Sequence, residues 1–266
     1  MTEQNGDGLK GRVRGLERAF EILDHLRLKR EPLRPNEIAT GIGAPRSSVY
    51  ELVNLLLGNG VLEYAGGEGR VYLGRRLYFL GMAYAEHFDL GHVAEGLLQQ
   101  LAQETRATAQ MCMLDGNKYT VAMMREGVRP FRISSDVGEP VPIPWTASGR
   151  LLVTHMSDAQ ILDFIPEEDF VLPGGRRLDP RQFLDEVHGA RRDGYYTFES
   201  ITDNFTHCFA VPVYQPDGTC IATLCLVAPR EDAQANRAQY LQALIDAAAA
   251  LSHRMGHEVP AVRARA

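Results

Sequence analysis

The chain has 266 residues, a formal net charge of −6, 45% hydrophobic residues and 23% charged residues. This length has room for two domains of ~100–200 residues, and the composition excludes collagen-like, low-complexity and disordered proteins. No apolar run approaches the ~20 residues that cross a bilayer, and the polar first residues lack a signal-peptide core. We therefore expect a cytoplasmic protein without a membrane partner.

Positive charge is concentrated in the first third of the chain. Residues 1–85 hold 12 Lys and Arg against 10 Asp and Glu, whereas residues 86–266 hold 16 against 24. Binding to DNA phosphates needs local positive charge, whatever the net charge of the chain. The first third is therefore the candidate nucleic-acid face, although an excess of two charges decides little by itself.

Apolar periodicity predicts three helices within the first sixty residues. The first spans residues 13–29 and carries an inward-facing stripe at three- and four-residue steps. The stripe consists of Leu16, Ala19, Phe20, Leu23 and Leu26. A short second helix is predicted over residues 35–40, and Pro45 opens a third helix that ends at Gly58.

Two short strands, residues 61–64 and 71–73, are predicted to follow as a hairpin around a glycine-rich tip. Three helices and a hairpin are the pattern of a winged helix-turn-helix, and a small helical subdomain that never contacts DNA is the alternative. The outward face of the third helix favours DNA binding, because it carries donors suited to phosphates and base edges. The candidate DNA-binding residues are Arg46, Ser47, Ser48, Tyr50 and Asn54 on this helix, Arg70 in the hairpin, and Arg14 on the first helix.

A further helix is predicted from residue 75 to about residue 88. Its apolar seam consists of Leu77, Leu80, Gly81 and Tyr84, and Gly91 separates it from another helix over residues 93–104. A solitary amphipathic helix between two domains most often buries its stripe against a partner chain. Packing within the same chain is the alternative.

Two hairpins are predicted in the second half of the chain. Alternating residues 108–114 and 119–124 flank Asp115-Gly116, a dipeptide that readily adopts the positive φ of a hairpin turn. Residues 207–214 and 219–228 flank Asp217-Gly218 in the same way. Hairpins with inserted helices indicate an antiparallel α+β domain. The predicted helices span residues 147–156, 158–164, 179–193 and 232–255.

No motif in the second half indicates an enzyme. The chain contains no HExxH, no glycine-rich phosphate loop and no serine-centred elbow, and its eight histidines show no ligand spacing. His207 next to Cys208 suggests a thiol nucleophile, but adjacent strand residues point to opposite faces. The four cysteines contain no CxxC pair, and an intracellular setting disfavours disulfides. We therefore expect no catalytic residue, no metal and no cofactor, with a thiol-dependent hydrolase as the alternative.

Several stretches, taken in order, resemble one protein family. GLERAFEIL, NEIATGIGAPRSSVYELVNLLLGNGVLE and GRVYLGRRLYFLG resemble the DNA-binding half of the isocitrate lyase regulator (IclR) family of bacterial transcription factors. MCMLDGNKYTVAMM, RISSDVGEPVPIPWTASGRLLVTHM, RRDGYYTFESI and CFAVPVYQPDGTCIATLCLVAPRED follow the effector-binding half. Each stretch alone is weak, but their order and spacing are specific. The resemblance implies a winged-helix domain, a linker helix, a C-terminal GAF-like ligand domain, and dimers or tetramers.

Three features depart from the family pattern. Glu51 stands where the recognition helix commonly carries a basic residue, so the operator sequence does not transfer from other members. Residues 144–150, PWTASGR, replace a motif that usually begins with His or Tyr. Phe198 stands where some members carry a ligand-contacting acid. We therefore expect an effector other than the smallest carboxylates.

The predicted effector cavity combines polar, aromatic and soft apolar groups. Gly149 lies at the start of a helix, where backbone N–H groups can receive an anion. Trp145 is the only tryptophan, and Cys208 and Cys225 on neighbouring strands would supply small apolar walls. A loop anchor for Trp145 and core packing for the cysteines are the alternatives. The candidate effector-binding residues are Trp145, Ser148, Gly149, Arg150, Cys208, Cys225 and Met111.

We interpret the chain as a transcriptional regulator with an N-terminal winged helix-turn-helix and a C-terminal α+β GAF-like domain with an antiparallel sheet. A small aromatic or carboxylate-bearing effector would modulate its binding to double-stranded operator DNA. The protein would act as a homodimer or homotetramer, and a GAF-like sensor that binds a protein partner is a further alternative. The predicted boundaries are 1–74 for the DNA-binding domain, 75–90 for the linker helix, 91–257 for the effector domain and 258–266 for a flexible tail.

Overall fold

The computed structural model describes residues 4–87, 90–127 and 136–257, with the backbone alone for residues 4–12, 85–87 and 90. The chain forms two compact units, residues 1–88 and 89–266. The tail predicted over residues 258–266 lies outside the described part of the chain.

The first unit is built from three helices, a hairpin and a fourth helix. These are α1 (Gln4–Lys29), α2 (Pro35–Gly41), α3 (Arg46–Gly58), β1 (Leu62–Tyr64), β2 (Val71–Leu73) and α4 (Arg75–His87). Pro35 lies in the first turn of α2, where its missing N–H removes no helical hydrogen bond. Strands β1 and β2 are antiparallel, with Leu62 opposite Leu73. The winged helix-turn-helix expected from the sequence is confirmed.

The apolar stripe of α1 was only partly predicted. Ile22 and Leu26 are fully buried in the core of this unit, and Leu23 packs against that core. Leu16 and Phe20, expected to face inward, are 61% and 59% exposed. The small core of the unit covers only the later turns of α1, so the apolar residues of its earlier turns stay at the surface.

Helix α4 presents apolar and aromatic side chains at the surface of the first unit. Tyr78, Phe79, Leu80 and Met82 are between 42% and 66% exposed. Leu77, one member of the predicted seam, is half-buried. The sequence therefore identified an apolar helix, and the single chain leaves most of its surface uncovered.

The second unit is a six-stranded antiparallel sheet with helices on both faces. Its helices are α5 (Leu90–Thr105), α6 (Ala147–Leu152), α7 (Asp158–Phe164), α8 (Pro180–Asp193), α9 (Arg230–Ala235) and α10 (Arg237–Arg254). Its strands are β3 (Thr108–Asp115), β4 (Lys118–Arg125), β5 (Pro140–Val141), β6 (Tyr196–Glu199), β7 (Thr206–Tyr214) and β8 (Cys220–Pro229), in the order β5-β4-β3-β8-β7-β6. The predicted α+β class is confirmed.

Both predicted hairpins are present. Gly116 and Gly218 have φ values of +57° and +82°, as the Asp-Gly turns require. The short edge strands β5 and β6 were missed, because two to four residues are too few for a strand pattern to emerge. The last predicted helix is split at Asn236 into α9 and α10.

Alternation along the strands separates two cores. On one face, residues such as Ala109 and Leu226 pack with α5 and α10. On the other face, Cys112 and Val227 pack with residues of α7 and α8. A cavity can therefore form on the second face without interrupting the aliphatic core on the first.

We expect Ile22→Ala to lower the free energy of unfolding of the first unit by about 2–5 kcal/mol, because it removes fully buried methyl groups. Phe20→Ala removes a larger but exposed side chain and is expected to cost less than about 0.5 kcal/mol. Native-state hydrogen exchange of α1 and α3 amides measures both. Equal losses would contradict the burial pattern.

Candidate functional site

Helix α3 turns donor side chains away from the core of the first unit. Val49 and Val53 are buried, whereas Arg46, Ser47 and Tyr50 are exposed. These three side chains form no hydrogen bond or ion pair with another residue that the structure describes, so they can contact an external partner. Asn54 continues the exposed face and Ser48 is half-buried.

The hairpin arginine is engaged within the protein. Arg70 donates from Nη1 to the Pro32 carbonyl at 3.1 Å and lies 3.4 Å from Glu37 Oε2. Arg34 forms an ion pair with Glu68 at the hairpin tip. A phosphate contact by Arg70 would therefore compete with these internal bonds, whereas Arg14 on α1 is exposed.

A cavity of about 450 Å³ lies on the second face of the sheet. Its strand side includes Gln110, Cys208 and Cys225, and Trp145 and Ser148 line it from the segment that begins α6. Gln110 and Cys225 are directly opposite each other on β3 and β8. Further lining residues are Tyr119, Val121, Val227, Phe198 and Phe205.

Four of the seven predicted effector residues line this cavity, namely Trp145, Ser148, Cys208 and Cys225. Trp145 is also a loop anchor, because its indole Nε1 donates to the Asp169 carbonyl at 2.7 Å. The two functions proposed for the ring from the sequence are therefore compatible.

Gly149 does not line the cavity, and its N–H donates at 2.9 Å to Thr146 Oγ1, the N-cap of α6. The N–H group that was expected to donate to an anion is thus already satisfied within the protein. A Cβ at Gly149 would overlap the Ile143 carbonyl oxygen, so close packing explains the glycine.

Arg150 also points away from the cavity. Its side chain is 5% exposed, forms an ion pair with Glu186 at 2.6 Å, and donates from Nη1 to the carbonyls of Pro144 and Thr146. Its guanidinium lies about 5 Å from the ring centroids of three aromatic residues, Phe183, Tyr196 and Phe198. The contacts with Glu186 and the three rings tie α6 to α8 and β6, and the two carbonyl bonds hold the segment before α6. The arginine therefore supports one wall of the cavity.

Met111 belongs to the opposite face of the sheet. It packs in the aliphatic core with residues of α5 and α10, one position along β3 from Gln110. Strand alternation therefore places Gln110, which the sequence analysis did not select, where Met111 was expected.

The mouth of the cavity is acidic. Asp136, Glu139 and Asp203 line it, and none of the described lining residues is Lys, Arg or His. Burial raises the pKa of Asp203, but hydrogen bonds from Thr206 Oγ1 and the amides of Phe205 and Thr206 outweigh it, so the pKa lies below its usual value. Asp203 is therefore ionised at neutral pH.

Two family models match the chain. The IclR helix-turn-helix domain matches residues 15–66, and the bacterial transcriptional regulator IclR C-terminal domain matches residues 82–253. The chain belongs to the IclR family of transcriptional regulators. The HTH-type transcriptional regulator XynR of Escherichia coli (strain K12) is 25% identical over 248 residues, which cover 92% of this chain and 98% of XynR.

Solved structures of IclR regulators share the fold. An IclR transcriptional regulator from Silicibacter sp. TM1040 superimposes with a TM-score of 0.82 at 19% identity, covering 94% of this chain and 100% of that one. An IclR homolog of Microbacterium hydrocarbonoxydans complexed with 4-hydroxybenzoate has a TM-score of 0.74 at 23% identity, covering 91% and 99%.

In this IclR regulator, the cavity thiols of Cys208 and Cys225 and the buried thiol of Cys112 are held in the protonated form. Burial raises the pKa of Cys112 to about 11 and that of Cys208 to about 12, and it also raises the pKa of Cys225. Burial likewise lowers the pKa of His207. Because a thiolate is the nucleophile in thiol catalysis, these environments disfavour the hydrolase alternative.

The described part of the chain contains neither a metal site nor a membrane-spanning helix. Within residues 4–87, 90–127 and 136–257, no group of three or more His, Cys, Asp or Glu side chains could hold a metal ion. No helix of that part of the chain is long and apolar enough to cross a bilayer.

Several cavity residues could not be selected from sequence. Gln110 interrupts the apolar run of β3 and is itself buried, and that polar interruption was the available signal. Asp203 and Phe205 come from the loop before β7, where no pattern marks a ligand contact.

We expect the thiols of the folded protein to react slowly with iodoacetamide at pH 8 and rapidly after unfolding in urea. The folded pKa of Cys208 is about 12 against an ordinary value of 9.0, so the unfolded chain loses this proton first. The free energy of unfolding should therefore fall as pH rises from about 9 toward 12. Cys208→Ala should reduce that slope. Folded-state labelling as fast as that of free cysteine would contradict the assignment.

Proposed function

We propose that this IclR regulator binds operator DNA through α3 and that a small effector in the second-unit cavity changes its affinity for that operator. The observation that carries the proposal is the combination of a donor-rich exposed helix in one unit with a walled cavity in the other. Effector binding changes operator affinity only if the effector binds the DNA-competent and DNA-incompetent arrangements differently, typically by ~1–3 kcal/mol.

Contacts of α3 with DNA are supported by the position of its donors. In helix-turn-helix proteins the N-terminal residues of the recognition helix contact base edges in the major groove. Arg46 and Ser47 begin α3, and Tyr50 lies one turn further along the same exposed face. The groove between α3 and the hairpin, lined by Tyr50, Asn54 and Tyr64, extends this surface.

The cavity is proposed to take a small, flat molecule. Its volume of about 450 Å³ lies within the range of small-molecule sites. Trp145, Phe198 and Phe205 supply aromatic surface, and such rings favour planar ligands. The structural neighbour complexed with 4-hydroxybenzoate supports an aromatic ligand. That compound carries both a hydroxyl and a carboxylate, so it does not decide which group the cavity of this chain prefers.

The exposed face of α4 is proposed as a homodimer surface. Exposed apolar patches on soluble proteins often mark interaction sites, and Tyr78, Leu80 and Met82 are all more than 40% exposed. A two-fold dimer would present two copies of α3 to two half-sites of an operator. A tetramer would be a pair of such dimers.

We expect Arg46→Ala and Tyr50→Ala each to weaken specific operator binding by about 1–3 kcal/mol and to leave the fold intact. Arg181→Ala, an exposed arginine on α8, is the matched control and should change nothing. Footprinting on the DNA upstream of the gene that encodes this chain identifies the operator. Gel shifts on that duplex then measure the loss of binding affinity in each variant. Unchanged binding by both α3 variants would overturn the assignment.

We expect Leu80→Glu to dissociate the dimer, because it places a charge in a surface that loses its water when the two chains associate. Leu162→Glu, on α7 and 44% exposed, is the control and should leave the oligomer unchanged. Light scattering at micromolar concentration reports the mass. A parent protein that is monomeric with and without operator DNA would refute the dimer.

A further inference from the structure

Gln110 is a buried polar side chain that makes one weak hydrogen bond to the described part of the chain. It is 1% exposed, lies in the centre of the sheet on β3, and lines the cavity. Its Nε2 donates to the thioether sulfur of Met124 at 3.6 Å, and a thioether is a weak acceptor. A buried carboxamide is costly unless its donors and acceptor are satisfied. The side chain is therefore poorly explained by the packing of the protein itself.

Ser148 provides a second, independent group of the same kind. It is 1% exposed, lines the same cavity from α6, and its Oγ has no hydrogen-bond partner of normal geometry among the described residues. Ser148 lies close enough to the thiols of Cys112 and Cys225 to lower their pKa values, but a thiol is a weak hydrogen-bond partner. A weakly bonded carboxamide and an unpartnered hydroxyl thus line one cavity, the first from a strand and the second from a helix.

The charge around the cavity selects among the ligands that could satisfy these groups. Asp136, Glu139 and Asp203 line the cavity, and the described lining residues include no cation. Arg150 is a buried cation two residues after Ser148, but its guanidinium is already paired with Glu186 and with two backbone carbonyls. A carboxylate bound beside Gln110 and Ser148 would lose its hydration without a compensating positive charge. An uncharged polar group loses less hydration energy, and hydrogen bonds alone can compensate it.

We infer that Gln110 and Ser148 determine effector specificity, and that they bind an uncharged group with both donor and acceptor atoms, such as a carboxamide or hydroxyl, on a small planar ligand. This inference rests on the proposed function of the cavity and narrows it. In place of the anion site expected at Gly149, it assigns a site for an uncharged group between Gln110 on β3 and Ser148 on α6. The carboxamide of Gln110 can donate to and accept from such a group, and the hydroxyl of Ser148 adds a third hydrogen bond.

The first test separates a ligand-binding glutamine from a structural one. Gln110→Met preserves length and removes the buried amide, so Tm of the protein without ligand should stay constant or rise by up to ~3 °C. Gln160→Met is the matched control, because its carboxamide oxygen accepts from the Ser157 amide at the start of α7. That variant should lower Tm. A clear fall in Tm for Gln110→Met would show that Gln110 is structural and would overturn the inference.

The second test compares two probes of nearly identical shape. Benzamide and benzoate differ in charge and in the presence of a donor, and Trp145 emission reports binding because the chain has no other tryptophan. We expect benzamide to bind the parent protein about tenfold more tightly than benzoate, and Gln110→Met and Ser148→Ala each to weaken benzamide about tenfold. Benzoate affinity should change little in both variants.

Three outcomes would overturn the inference: tighter binding of benzoate, equal benzamide binding by Gln110→Met and the parent, or no binding of either probe at 10 mM. Gel shifts on the operator distinguish failure of this inference from failure of the proposed function. If benzamide binds as expected but no cavity ligand alters operator affinity, regulation by the cavity fails while the assignment of Gln110 and Ser148 stands.

Discussion

The pairing of β3 with β8 is the constraint on which the second unit depends. These strands are separated by more than a hundred residues of chain, yet they form the centre of the sheet, with Gln110 opposite Cys225 and Met111 opposite Leu224. The two side chains of a pair lie on the same face of the sheet, and neighbouring pairs lie on opposite faces. This register therefore assigns one set of residues to the aliphatic core and the neighbouring set to the cavity, and a slip by one residue would exchange them.

The two faces of the sheet have different energetic roles. The face under α5 and α10 is apolar and belongs to one continuous core, so its burial stabilises the unit. The other face carries a buried carboxamide, a buried hydroxyl and protonated thiols around an open volume. Such a face is less stable than a filled core, and proteins commonly accept that cost at binding sites. The contacts of Arg150 with Glu186 and Phe198 keep the adjacent wall ordered.

Local features of this chain were predictable from sequence, and distant pairings were not. A β-turn is determined by about four consecutive residues, so the Asp-Gly turns at Gly116 and Gly218 allowed both hairpins to be predicted from the sequence. The apolar stripe of α1 was visible in the sequence, but a stripe does not show how much of the helix the core covers. Phe20 was therefore wrongly predicted to face inward. Trp145 was selected as the only tryptophan and Ser148 as a residue at the start of a helix, and the family resemblance supported that location. Gln110 was missed because only the β3–β8 register shows that it faces the cavity.

The central claim is that the cavity and α3 are thermodynamically linked. It is tested most directly by titrating a ligand that alters operator affinity, with Trp145 emission as the signal, in the absence and in the presence of saturating operator duplex. Linkage requires the ligand affinity to change by the same factor as the operator affinity, typically ~5–150-fold. We expect these two factors to agree. Equal ligand affinity with and without operator would contradict the account, because it would mean that ligand binding and DNA binding are independent.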